Sequence, residues 1–190
     1  KYVPWLGLRY WLVDTLNKIV RAVQCGLLKG DATSAAAQMI RYPETSGRSK
    51  YTFSIWAFPE ETYPHILRGY FSFCKDYYRK TKWRCDMLNV GYWIAEDRGS
   101  LFSYSYDNNV LTLDPVASGS HGWDEFLRAY NDYCSRMSGA PLFNQTKWLL
   151  PNQARRAFGD RIDRFRVAVE RYDPDQRLLN AYFSEFLYEK

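Results

Sequence analysis

Lys147 and the two amide side chains shortly before it, Asn144 and Gln145, form a cluster whose residue types could do chemistry. A lysine in a dry pocket can stabilise negative charge, orient a substrate or, with its pKa lowered by burial, act as a base. The amides can hydrogen-bond to the hydroxyl groups of a substrate. We therefore take these three as candidate catalytic residues. The alternative is a solvated lysine beside satisfied loop amides.

Trp56, Asn89 and Trp93 are candidate substrate-binding residues, because alternation along two predicted strands places them on one sheet face. We expect helices to cover the opposite face and to leave this one open. An open face with two tryptophans would favour aggregation unless something occupies it. A pocket would use the indole rings to hold a substrate and Asn89 to orient it. The alternative is that this face packs on another domain and has no catalytic role.

Hydrophobic patterning predicts that these residues lie in an α+β fold with the order β-α-β-β-α-β, followed by helices. The predicted strands are 51–58, 86–95, 101–106, 110–115 and 141–145, and the predicted helices are 62–80, 122–137, 152–158 and 160–171. A turn at 107–109 makes 101–115 an inserted hairpin. The order is that of the ferredoxin-like arrangement, an antiparallel sheet with helices on one face, which serves many unrelated functions.

The first 48 residues are predicted to form a separate helical segment and linker, with the main domain at 49–190. An apolar stripe at helical spacing consists of Trp5, Leu8, Leu12, Leu16, Ile19 and Val23. Four charged residues interrupt 5–23 too often for a membrane-spanning helix. We expect the stripe to dock onto a protein surface, and the alternative is peripheral contact with a membrane. A short helix at 32–40 and a loop at 42–47 are predicted to follow.

Cysteine, histidine and charge narrow the function classes. The four cysteines lie at 25, 74, 85 and 134, without C-x-x-C spacing and distant in sequence from His65 and His121, so no metal site is predicted. Free thiols of a reducing, cytoplasmic compartment are expected, although spacing alone leaves a disulfide open. The net charge is +5, but the basic residues are scattered. We therefore expect no nucleic-acid partner.

The C-terminal region carries a family resemblance. Asp173-Pro174 followed by Asn180-Ala181-Tyr182-Phe183 resembles the tail of FAD-linked oxidoreductases of the vanillyl-alcohol oxidase, or PCMH, type. In that family a final helix runs into an Asp-Pro turn, and the next segment returns beside the flavin ring. The segment 141–147 looks like the last strand of the family's substrate, or cap, domain, and 123–131 looks like its second helix. The resemblance covers about residues 50–190.

The resemblance implies that this chain is the C-terminal substrate-binding part of an FAD-dependent oxidoreductase. Its substrate would be an alcohol such as a polyol, sugar or lactone, oxidised by hydride transfer to flavin. Asn180 and Tyr182 would lie near the flavin ring. The family's phosphate-binding loop belongs to another domain, and no Gly-rich cradle of the type G-x-G-x-x-G occurs here. An FAD-binding domain or chain outside this sequence is therefore the expected partner.

The competing hypothesis is a non-catalytic ferredoxin-like binding or interaction module. Such a module would bind RNA through aromatic residues on a basic sheet face, or would complete a partner protein. Trp56 and Trp93 could supply the aromatic rings. The aromatic signature of RNA-recognition motifs is missing, and this hypothesis leaves the Asp-Pro tail unexplained.

Overall fold

The computed structural model describes residues 5–28, 51–119 and 121–188. The predicted helix at 32–40, the loop at 42–47 and the domain boundary near 48 lie outside the described residues. The helices are α1 (Leu6–Leu28), α2 (Tyr63–Thr81), α3 (Trp123–Arg136), α4 (Pro151–Phe158), α5 (Asp160–Tyr172) and α6 (Ala181–Tyr188). The strands are β1 (Thr52–Phe53), β2 (Trp56–Pro59), β3 (Trp93–Ile94), β4 (Val110–Leu113), β5 (Val116–Ala117) and β6 (Ala140–Pro141). The predicted α+β class is confirmed.

One antiparallel ladder forms the centre of the sheet. Thr52 pairs with Ala117 and Trp56 pairs with Leu113, so β1–β2 and β4–β5 keep a single register along their whole length. The ladder is interrupted opposite Ser54 because Pro115 has no N–H to donate. The strand predicted at 51–58 is therefore present as two short pieces, β1 and β2. The strand predicted at 110–115 is present as β4, and β5 continues the ladder beyond the predicted end.

The four-stranded sheet has the order β3-β4-β2-β6, and every neighbouring pair is antiparallel. Helix α2 connects β2 to the segment that leads into β3, and α3 lies between β5 and β6 in the chain. These connections place the two helices over the sheet, where Tyr70 of α2 contacts Tyr130 of α3 with ring centroids 5.8 Å apart. The packing joins both helices and the central strands in one hydrophobic core.

Three predicted strands are wrong in extent or type. Residues 101–106 form turns, so the predicted hairpin 101–115 does not exist, and β4 pairs instead with β3. Phe102 packs on Phe143, Phe158 and Phe165, which explains its apolar pattern without a strand. The strand predicted at 86–95 shrinks to β3 and one bridge from Val90 to Asp114. Beyond β6 the predicted strand 141–145 turns into a short 3-10 helix, Phe143–Gln145.

The prediction of the open sheet face is also wrong. Trp56 and Phe58 lie opposite Leu113 and Leu111 and face the helices, where Trp56 Nε1 donates a hydrogen bond of 3.0 Å to Asn131 Oδ1 of α3. Alternation correctly shows which residues share a face, but it cannot show which face the helices cover. The opposite face carries the alternate residues of the same strands, which include Val90, Tyr92, Thr112 and Asp114.

Helix α1 is held to the rest of the chain near its N-terminal end. The Tyr10 hydroxyl donates to the Arg84 carbonyl and accepts from the Arg84 N–H, both at 2.9 Å, and Arg9 pairs with Asp86. The predicted apolar stripe does not dock on the described part of the chain. All six of its side chains are exposed, and Leu16 at its centre is 60% exposed even though it borders a cavity beneath α1.

Gly139 provides a test of how closely the sheet and α3 approach. A Cβ atom added there would lie 2.6 Å from a ring carbon of Phe58 and 3.1 Å from Trp56. We expect Gly139→Ala to lower the free energy of unfolding by about 1–3 kcal/mol, because both rings must shift in a packed core. Gly7→Ala is the control, since nothing lies within 4 Å of its added Cβ. Urea unfolding followed by tryptophan fluorescence measures both, and equal stabilities for the two variants would contradict this packing.

Candidate functional site

The predicted substrate-binding residues lie on the helix-covered side of the sheet. Trp56 is 0% exposed, so burial excludes it from the wall of an open pocket. Asn89 donates a hydrogen bond of 3.1 Å to the Tyr70 hydroxyl on α2. Trp93, at the sheet edge, is half exposed and donates from Nε1 to Glu60 at 3.1 Å. The three share a face, as predicted, but this face serves mainly the core.

Lys147 lies in a solvated ion pair. Its Nζ donates to both carboxylate oxygens of Asp124, at 2.9 and 3.1 Å, and lies 4.8 Å from the Trp148 ring centroid. The hydrogen bond from Lys147 lowers the pKa of Asp124. Ion pairs this exposed contribute little to stability. The environment is therefore not the dry pocket expected for a lysine base.

The remaining predicted residues lie near that pair or at the C-terminal helix. Asn144 is exposed and Gln145 half-buried in the 3-10 helix. Asn180 Oδ1 accepts a 2.9 Å hydrogen bond from the Phe183 N–H and so caps the start of α6. Tyr182 donates to the Phe143 carbonyl at 2.9 Å, and burial raises its pKa to about 12. Flavin contact by Asn180 and Tyr182 stays a prediction.

A cavity of about 550 Å³ lies on the opposite face of the sheet, beneath α1. The single register of the ladder brings alternate residues of three strands to this face. The cavity is lined by Val13, Leu16, Asn17, Tyr51, Phe53, Asp86, Met87, Leu88, Val90, Tyr92, Asp114 and Val116. An apolar hollow with a few polar groups is the usual form of a small-molecule site.

Asp114 is the chemically distinctive residue of this cavity. Its side chain is buried, with the residue 1% exposed, and Oδ2 accepts a 3.0 Å hydrogen bond from the Thr112 hydroxyl. Oδ1 has no hydrogen-bond partner among the described residues. Burial raises the pKa of Asp114 to about 7, although the Thr112 hydrogen bond opposes the shift. A carboxyl that titrates near neutral pH can both accept and release a proton, as acid–base catalysis requires.

Asp86, the second carboxyl of the cavity, has its partners within the chain. The Ser118 N–H donates to Oδ1 at 3.0 Å and the Ser118 hydroxyl donates to Oδ2 at 2.7 Å, beside the Arg9 ion pair. This network links α1 to the end of β5. Asp86 is thus a structural carboxylate, and Asp114 is left as the reactive candidate.

Sequence reasoning missed Asp114, although a signal was present. The run Val110-Leu111-Thr112-Leu113-Asp114 is a strand pattern with a carboxyl at the position of a buried residue. A buried carboxyl is costly unless it is paired or has a function. Because the sequence predicts that helices cover the face opposite Trp56, Asn89 and Trp93, the face that Asp114 occupies is not a predicted site.

Comparison with known proteins identifies no family. The chain matches no protein-family model, and a search of curated proteins found no match either. Among the described residues, the structure contains no helix that is both long and apolar enough to span a membrane.

Proposed function

We propose that this chain is the substrate-binding part of an FAD-dependent oxidoreductase that oxidises an alcohol. The observation that carries the proposal is the cavity on the helix-free side of the sheet, with the Asp114 carboxyl in its lining. Such a cavity can hold a substrate body, and such a carboxyl can hold a hydroxyl proton. The proposed substrate site therefore lies on the sheet face opposite the predicted one, which carries Trp56, Asn89 and Trp93.

The fold supports the proposal at the level of topology. Two helical connections join four antiparallel strands in the order β3-β4-β2-β6, which agrees with the ferredoxin-like arrangement that the resemblance implies for a cap domain. We propose that arrangement for the domain at 49–190. Because many functions share this arrangement, the site carries the functional argument.

The lining of the cavity does not fit the whole of an FAD molecule. None of the described residues that line it is a lysine or arginine, and two are carboxyls, which would repel a diphosphate. A Gly-rich phosphate cradle is absent from the sequence. When bound, FAD would supply the hydride acceptor. A separate FAD-binding domain or chain would have to hold it, and this chain would bind and orient the substrate.

The exposed apolar stripe of α1 supports the proposal that a partner protein binds this chain. Leu12 and Leu16 are exposed, and Leu16 also lines the cavity beside Val13. Large apolar surfaces of this kind usually mark interaction sites. A protein that closed the cavity next to Leu16 would cover part of the stripe as well. The structure does not favour the RNA-binding alternative. Phosphate groups bind to lysine and arginine, whereas the described residues that line the cavity include two carboxyls and neither of these cations.

Purification of the native protein tests the proposal. We expect flavin absorption between about 300 and 550 nm, and mass spectrometry should find an FAD-binding polypeptide in the same complex. Leu16→Glu should reduce the flavin recovered per chain about tenfold, since a charge in the centre of an apolar interface is costly. Val167→Glu is the control, because Val167 is exposed on α5 and outside the cavity lining. A colourless native protein without a flavoprotein partner would overturn the proposal.

A further inference from the structure

We propose that the cavity beneath α1 selects a neutral, largely apolar alcohol, whose hydroxyl group donates a hydrogen bond to Oδ1 of Asp114. The reaction of this alcohol rests on the proposed function, whereas its binding to the chain can be measured without any flavin.

The unpartnered oxygen requires a donor. Oδ2 of Asp114 is satisfied by Thr112, but Oδ1 has no partner among the described residues, and the residue is 1% exposed. A buried carboxyl oxygen without a hydrogen bond is costly. Oδ1 is covered in this conformation, but Asp114 belongs to the cavity lining, so a small rotation of its carboxyl group would bring this oxygen to a bound ligand. A hydroxyl group would supply the missing hydrogen bond.

The charged and titratable groups around Asp114 favour a neutral ligand. The carboxyl interacts with the phenols of Tyr63 on α2, Tyr104 in the 99–109 loop and Tyr130 on α3, and Asp86 shares its cavity. No lysine or arginine is among the described residues of the lining, and an ionised Asp114 would repel an anionic substrate. An ammonium group would have to lose its hydration in an apolar cavity, which costs far more than the desolvation of a hydroxyl.

The remaining lining favours an apolar ligand body over a polyol. Seven of the twelve lining side chains are aliphatic, thioether or phenyl groups, namely Val13, Leu16, Phe53, Met87, Leu88, Val90 and Val116. Asp86 is already occupied by Ser118 and Arg9, so few polar groups remain for additional hydroxyls. Each buried hydroxyl without a partner reduces affinity. Sugars and polyols, which the family resemblance would allow, are therefore disfavoured.

Binding of small probes to the full chain tests this inference. We would titrate cyclohexylmethanol, its methyl ether, cyclohexylmethylamine and xylitol into the isotope-labelled protein and follow the amide resonances of residues 111–114 by NMR. At a pH well above the pKa of Asp114, where the carboxyl is ionised, the alcohol should bind about tenfold more tightly than the ether, because only the alcohol donates a hydrogen bond to a carboxylate. It should also bind more tightly than the amine and the polyol.

Variants locate the contact. Asp114→Ala should bind the alcohol and the ether equally, and Asp114→Asn, which keeps an acceptor oxygen, should retain part of the preference. Asp124→Ala is the matched control, because it removes an exposed carboxylate that is outside this cavity. If Asp114→Ala does not fold, comparison of Asp114→Asn with the wild-type protein still measures the change in preference.

Each result separates the two proposals. Equal binding of alcohol and ether by the wild-type protein, tighter binding of the amine or xylitol, or no binding of any probe would overturn the inference. A selective alcohol site in a native protein without flavin would support the inference and overturn the proposed oxidoreductase. Flavin in the native complex without alcohol selectivity at Asp114 would support the proposed oxidoreductase and overturn the inference.

Discussion

Replacing Trp56 by alanine is expected to lower the free energy of unfolding by about 3–5 kcal/mol, a large part of the stability of a typical domain. Trp56 is 0% exposed and packs between the sheet and the helices. Its Nε1 donates to Asn131 at 3.0 Å, and Asn131 in turn donates to the Lys147 carbonyl at 2.9 Å. The substitution would leave a cavity and an unpartnered amide oxygen in the core.

Trp93→Ala is the matched control, because Trp93 lies on the same sheet face but is 54% exposed. It should cost about 1 kcal/mol or less, in line with other surface substitutions. Denaturant unfolding and thermal melting measure both variants. If Trp56→Ala melted like the wild-type protein, the core position of this ring would be refuted, and the predicted role in a substrate wall would return.

Replacing Asp114 by asparagine is expected to remove a pH-dependent loss of stability. The pKa of this carboxyl rises from 3.8 to about 7 in the fold. Between these two values the folded chain holds a proton that the unfolded chain releases, so stability falls as pH rises and levels off above about 7. One pKa unit corresponds to about 1.4 kcal/mol, so the full penalty is on the order of 4 kcal/mol. The amide side chain of the variant has no charge to bury at any pH.

The measurement is the difference in unfolding free energy between Asp114→Asn and the wild-type protein across a pH range of about 3 to 9, which extends beyond both pKa values. The variant should gain on the wild-type protein as pH rises through this window, whatever constant cost its amide group adds. Other titrating groups are common to both proteins and cancel in the difference. A difference independent of pH would mean that Asp114 titrates at its ordinary value.

A carboxyl that weakens the fold at neutral pH needs a compensating benefit. Natural proteins retain destabilising groups chiefly where activity requires them. The same Asp114→Asn substitution that is predicted to gain stability relative to the wild-type protein as pH rises is predicted to weaken alcohol binding in the cavity. This opposition between stability and binding would be the signature of a functional residue.

Local patterns were enough to predict most of the helices. The expected helices at 62–80, 122–137, 152–158 and 160–171 correspond to α2, α3, α4 and α5, and no end is shifted by more than one residue. Apolar side chains at a spacing of 3.6 residues give a strong signal that depends only on neighbours in the chain. The α+β class followed from the same kind of pattern.

The strands and the site depended on contacts distant in sequence. Phe102 belongs to an aromatic cluster formed with the C-terminal helices, and its apolar neighbourhood imitates a strand. Asn180, which the family resemblance places beside flavin, has a local role as the cap of α6. Short apolar runs carry no information about which partner they will meet, so their type stays ambiguous in the sequence.

The sequence by itself determined which residues of this chain share a helix or a sheet face, because the helical and strand periods are set by backbone geometry. Trp56, Asn89 and Trp93 do lie on one face, as alternation requires. Only the tertiary structure decided that α2 and α3 cover that face and that Asp114 lies in the cavity opposite. Each strand is compatible with helices on either side, and the choice depends on how all the apolar surfaces of the chain can be buried together.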